Sequence, residues 1–176
     1  RRPEGVASMV IASSPSSIPL WVSEANRLRS YLPGDMQKAL LQADRDGNYD
    51  RPEVKAASAE YYRRHVCKLD PYPDFVTRSF SQMGEPYLVM QGAGEFVVTG
   101  KLKDWDVTGR LHTIAIPALV TSGTADEATP FISKTIYDRI PDCKWELIGN
   151  GTHLCHVEYP ELYNGLAEKF FEAHEA

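Results

Sequence analysis

Cysteine is scarce in this chain. The three present, Cys67, Cys143 and Cys155, are odd in number and far apart among 176 residues, which argues against a disulfide framework and for a reducing compartment. Long hydrophobic runs are lacking too: no apolar stretch approaches the roughly 18 residues that span a bilayer. The start, Arg1-Arg-Pro-Glu-Gly, leads only into the short run Val6 to Ala12, which reads as an internal strand rather than a signal peptide. No dense Lys/Arg cluster occurs and the net charge is −5, so neither nucleic acid nor an anionic membrane is expected as the main partner. What remains is a chain with 43% hydrophobic and 24% charged residues, the composition of a soluble globular protein long enough for one sizeable core.

Two turns carry the chemistry. Ile116 to Thr121 is almost wholly apolar and is bounded by Gly123, the pattern of a parallel strand buried on both faces. Asp126 and Glu127 follow at its carboxyl end, the edge of an open α/β sheet where ligands bind. A second strand candidate, Lys144 to Ile148, runs into Gly149-Asn-Gly-Thr-His153 and delivers His153 to the same edge. An Asp that orients a His, and a His that takes a proton from a nucleophile, are two parts of the apparatus of acyl transfer. Taken singly, Asp126 could be a solvated turn residue and His153 a structural one; their order and placement favour the catalytic reading. The nucleophile of such enzymes precedes both on a G-x-S-x-G elbow, and no Ser in this chain has that surrounding.

The close set His153-Leu-Cys155-His156 contains three zinc-ligand types, but so tight a spacing cannot easily close a tetrahedron, and no paired Cys-x-x-Cys supports it. No metal and no cofactor are expected. Asn150-Gly-Thr152 matches a glycosylation sequon. A glycan there would stand beside His153, so the catalytic reading places the protein outside the secretory pathway, in the cytoplasm.

Along the chain, Val6 to Ala12 reads as a buried strand ended by Ser13-Ser-Pro. Residues 19–105 then show helical spacing alone. Val22, Ala25, Leu28 and Leu32 define one helix; Met36, Ala39, Leu40 and Ala43 a second; Val54, Ala57 and Tyr61 a third that opens at Pro52. A shorter fourth opens at Tyr72-Pro-Asp-Phe and carries Phe75, Val76, Phe80 and Met83, with Tyr61, Tyr62, Phe75 and Phe80 expected in the core of this helical segment. Strand signals resume at Ile114, followed by helices over 130–140 and from Pro160, the last with Leu162, Leu166 and Phe170 on one stripe. The expected division is a core of residues 1–18 and 106–176 around an all-helical cap of residues 19–105. Three parallel strands alone would leave an exposed apolar edge, so the chain reads as the C-terminal portion of an α/β domain whose N-terminal half is missing or supplied by another chain.

Particular segments carry a resemblance. Pro3-Glu-Gly, Val10-Ile-Ala-Ser-Ser-Pro15, Gly94-Glu-Phe-Val-Val-Thr-Gly100, Lys103-Asp-Trp-Asp106, Gly123-Thr-Ala-Asp-Glu127 and Gly151-Thr-His153 together resemble the proline iminopeptidase (prolyl aminopeptidase) family of α/β-hydrolases, including the tricorn-interacting aminopeptidase type. The likeness runs through nearly the whole chain. It implies a mostly parallel sheet with flanking helices and an inserted helical cap. It implies that Asp126 is the triad acid and His153 the base, and that Glu95 and Glu127 hold the substrate's free amino group. The implied activity is release of N-terminal residues, preferably proline, from small peptides or amides. The nucleophile Ser and oxyanion segment of that family lie upstream of every residue present here. Two alternatives stay open: another amide or ester hydrolase of the same fold, or a non-catalytic fragment or binding subunit.

Overall fold

The computed structural model describes residues 4–174. Arg1 to Pro3, which enter both the reading of the chain's start and the resemblance, lie outside the described residues, as do Glu175 and Ala176. The chain forms two compact units, one built from the residues up to Ser16 together with those from Val107 onward, the other from Ser17 to Asp106.

The first unit is a three-stranded parallel sheet in the order β1 (Met9–Ala12), β2 (Ala118–Gly123), β3 (Cys143–Ile148). Met9 stands opposite Ala118 and Ala118 opposite Cys143, so the strands run in step toward one carboxyl edge. All six residues of β2 are buried, as its unbroken apolar run predicts for a strand covered on both faces. The flanking strands are only partly covered, and among the described residues nothing pairs with the outer side of β1. A 3-10 turn, Thr108–Thr113, leads into β2; α6 (Pro130–Tyr137) connects β2 to β3. Leu111, Ala118, Val120, Ile136 and Ile140 form one buried cluster of this unit. A four-residue helix α7 (Cys155–Glu158) and α8 (Pro160–Glu172) follow.

In α8 the expected stripe is incomplete. Phe170 is buried but Leu162 is 51% exposed, because in the first turn of α8 the inward contact is made instead by Tyr163, whose hydroxyl lies 3.2 Å from Thr121 Oγ1 of the buried strand.

The second unit is helical. Its helices α1 (Ile18–Arg29), α2 (Gly34–Asp46) and α3 (Pro52–His65) pack around Ala25, Leu40, Ala43, Val54, Ala57 and Tyr61, the residues that the 3.6-residue spacing selects. Helix α1 begins earlier than its apolar pattern suggests because Ser17 caps it, accepting from Leu20 N at 3.4 Å, with Pro19 in the first turn. Gly47, at φ 71°, ends α2 in the left-handed conformation that glycine adopts without steric cost. Helices α4 (Asp74–Ser81) and α5 (Glu85–Met90) complete the unit. Here the sequence expectation fails at Phe75, which is 64% exposed while Val76 is buried: adjacent residues point about 100° apart on a helix, and α4 turns Val76 inward. Met83 lies beyond the end of α4, and α5 carries no apolar period long enough to announce it. Among the described residues no helix is long and apolar enough to cross a membrane.

Candidate active site

At the carboxyl edge of the sheet, the turns after β2 and β3 lock together through their backbones. Thr124 N donates to Ile148 O at 3.0 Å and Ala125 N to Gly151 O at 2.9 Å, while Asn150 N donates to the Thr124 hydroxyl at 2.8 Å. Gly123 is required by this approach, since a Cβ there would overlap the carbonyl of Gly151. Asn150 takes φ 59° to make the second turn, a conformation that Asn tolerates better than most residues.

This interlock brings Asp126, Glu127 and His153 together. Asp126 is 1% exposed; its Oδ1 accepts from Ala128 N at 2.7 Å, and Oδ2 lies 3.5 Å from Gly123 N. His153 Nδ1 lies 3.0 Å from Asp126 Oδ1, so the imidazole donates there and proton exchange with a reactant falls to Nε2. Glu127 is also buried, at 6% exposure, with Oε1 3.9 Å from the same Nδ1. The imidazole is partly open, its side chain 28% exposed. An acid–base pair oriented by a buried carboxylate, with a second carboxylate beside it, can shuttle a proton next to a site for a cation.

Neighbouring groups bear on this pair. Burial, reinforced by the Asp126 charge, pushes the Cys155 thiol up to about 11, against a hydrogen bond with Ser13; such a thiol stays protonated and unreactive at neutral pH. His156 is held below the usual histidine range by burial and by His153. Among the described residues no group of three or more His, Cys, Asp or Glu side chains is arranged to hold a metal ion.

Glu95 lies in the other unit, half-buried between the buried Gly94 and Phe96. Tyr62 donates to its Oε2 at 3.3 Å. Its loop is tied down by side chains: Asn26 Nδ2 donates to Phe96 O at 2.9 Å, and the Arg29 guanidinium lies over the Phe96 ring at 4.8 Å. Arg29 in turn pairs with Asp44 at 2.5 Å and with Asn26 Oδ1. The periodicity of α1 and α2 gave no sign of this network, because polar residues on an amphipathic helix ordinarily face solvent.

Sequence reasoning also missed Glu158. Both its carboxylate oxygens accept from Thr152: Oε2 from the backbone N at 2.9 Å and Oε1 from the hydroxyl at 2.6 Å. The only hint was a Glu shortly after the His turn and before Pro160, too common a pattern to single out.

No family model matches the chain. The proline iminopeptidase of Lactobacillus delbrueckii subsp. bulgaricus is 37% identical over 166 residues, covering 94% of this chain and 56% of the relative. Among solved structures, the proline iminopeptidase of Mycobacterium smegmatis matches with a TM-score of 0.89 and 38% identity over 98% of this chain and 59% of that one. VinJ matches with a TM-score of 0.94 and 36% identity over 99% and 60%. The chain thus spans between 56% and 60% of the length of these relatives.

Proposed function

Because the chain belongs to the proline iminopeptidase family of α/β-hydrolases, we propose that it is the cap-bearing C-terminal portion, cap at residues 19–105, of a serine aminopeptidase. This enzyme releases N-terminal residues, preferably proline, from small peptides or amides. A Ser and an oxyanion hole outside these 176 residues complete the site. We place the enzyme in the cytoplasm, where three cysteines that form no disulfide would stay reduced.

The observation that carries this reading is the 3.0 Å contact between Asp126 and His153 on interlocked turns at the sheet's carboxyl edge, with Glu127 beside them. In the proposed reaction His153 takes the proton of the Ser hydroxyl as it attacks the carbonyl, then returns it to the leaving amine, while Asp126 fixes the tautomer and supports the imidazolium. An aminopeptidase must recognise the one charge unique to a chain terminus, the ammonium. Glu127, and Glu95 on the resemblance, supply carboxylates for it, each charge-assisted hydrogen bond being worth about 1.5–3 kcal/mol. Fixing the ammonium also fixes the register, so that only the first carbonyl meets the nucleophile.

The test is hydrolysis of proline arylamide by the polypeptide that carries both these residues and the nucleophile. Glu127→Gln and Glu95→Gln should each raise KM about 10- to 100-fold, and N-acetylation of the substrate should abolish turnover. Equal cleavage of free and N-acetylated substrates by all three proteins would make the enzyme a general amide or ester hydrolase instead.

A further inference from the structure

His153 follows Thr152 directly, and both hydrogen-bond donors of Thr152 end on one carboxylate, Glu158. Thr152 is 1% exposed, so these bonds form in a protected place where charge-assisted contacts are strong. Glu158 is the last residue of α7. It therefore reaches back over the turn and closes a loop of chain that contains His153. On the other flank, Gly151 O accepts from Ala125 N, and the Gly151 backbone abuts Gly123. The His153 backbone is thus held from two sides, by the turn of Asp126 before it and by Glu158 after it.

We propose that Glu158 is a positioning residue for the acid–base pair: by clamping Thr152 through both oxygens it keeps His153 Nδ1 within reach of Asp126. The proposal rests on the reading of His153 as the base. It assigns Glu158 no contact with substrate. Its effect should therefore fall on turnover and on the His153–Asp126 hydrogen bond, not on substrate binding. A Gln at 158 keeps one acceptor but turns an amide NH2 toward a Thr152 donor, which releases one side of the clamp.

Two measurements test this. The first, on the nucleophile-bearing polypeptide, is proton NMR of the downfield imidazole N–H of His153, assigned by its loss in Asp126→Asn. Glu158→Gln should shift this resonance upfield and speed its exchange with water, and Thr152→Val should do so less, whereas Thr152→Ser, which keeps both donors, should leave it in place. The second uses the same polypeptide. There Glu158→Gln should lower kcat about 10- to 100-fold, as small misplacements of catalytic groups do, with KM within about twofold. Adding Thr152→Val to Glu158→Gln should cost little more, because the two residues share one clamp. Should Glu158→Gln fail to fold, Thr152→Val carries both readouts. An unmoved resonance with unchanged kcat in a folded variant overturns the proposal and leaves the acid–base reading intact. Absence of the resonance from the wild type overturns both, since there is then no pair to position.

Discussion

The two units hold their candidate carboxylates by opposite means. In the sheet unit, Asp126 and His153 sit on turns joined backbone to backbone, with Ala125 N on Gly151 O at 2.9 Å and Gly123 against Gly151. In the helical unit, Glu95 sits on a loop held by side chains, through Asn26, Arg29 and the buried ring of Phe96. Parallel strands in register end together, so their turns meet as a consequence of the ladder and tolerate side-chain change. A loop between helices has no ladder, and its backbone polar groups must be met by buried side chains. The first arrangement puts its chemical specificity into few residues. The second makes its local structure depend on a buried charge pair.

The largest effect expected from this contrast is on turnover. Asp126→Asn should leave the turns standing, because the backbone bonds between them do not involve the carboxylate, but it should favour the wrong imidazole tautomer. In the nucleophile-bearing polypeptide kcat should fall on the order of 10⁴-fold, while stability in urea drops by less than about 2 kcal/mol. A folded Asp126→Asn enzyme with near-normal kcat would remove the acid role; a collapse of stability would mean that the carboxylate, which accepts from Ala128 N, holds these turns more than the bonds between them do.

The helical unit should behave the other way. The Arg29 and Asp44 side chains are 10% and 7% exposed, and Arg29→Met strands the Asp44 carboxylate away from water. Breaking a buried pair by removing one partner costs about 3–5 kcal/mol. Arg29→Met together with Asp44→Leu should recover much of that loss, since the uncompensated charge is gone. Urea denaturation of the three proteins measures it. If Arg29→Met is as stable as wild type, side chains do not hold this loop and the contrast between the units fails.

The same contrast explains what the sequence disclosed. β2 was legible because a strand buried on both faces is written as an unbroken apolar run, and its end placed Asp126. The turn of His153 was legible from Gly149 and Gly151, residues that tight backbone approach favours. Helices α1 to α3 showed their inward residues by period, from Ala25 to Tyr61. What stayed hidden was set by long-range side-chain pairing: Arg29 with Asp44, 15 residues apart, and Asn26 with Phe96, 70 apart. Glu158 stayed hidden for a related reason, since a carboxylate that closes a turn looks in sequence like any solvated Glu. Phe75 misled because hydrophobicity does not reveal which side of a two-turn helix is covered.

The smallest effect separates the units by alkali. Cys155, raised to about 11 by burial and then by the charge of Asp126, starts from an ordinary value of 9.0. The folded state keeps this proton where the unfolded state loses it, so the contribution is fully present below pH 9 and is lost as pH rises toward 11. At pH 10 the loss is on the order of 1 kcal/mol. In the helical unit Tyr49 is raised from 10.0 to about 12, by burial first and then by Asp44, to which its hydroxyl donates at 3.1 Å. Its window opens a full unit later. Denaturation at pH 8 and pH 10 should therefore show a decline in wild type and in Tyr49→Phe that Cys155→Ala reduces, the remainder falling to Cys143, whose thiol burial also raises. If Cys155→Ala declines as steeply as wild type, the thiol beside the His153 turn is not the group that titrates, and the order in which the two units yield to alkali must be reversed or abandoned.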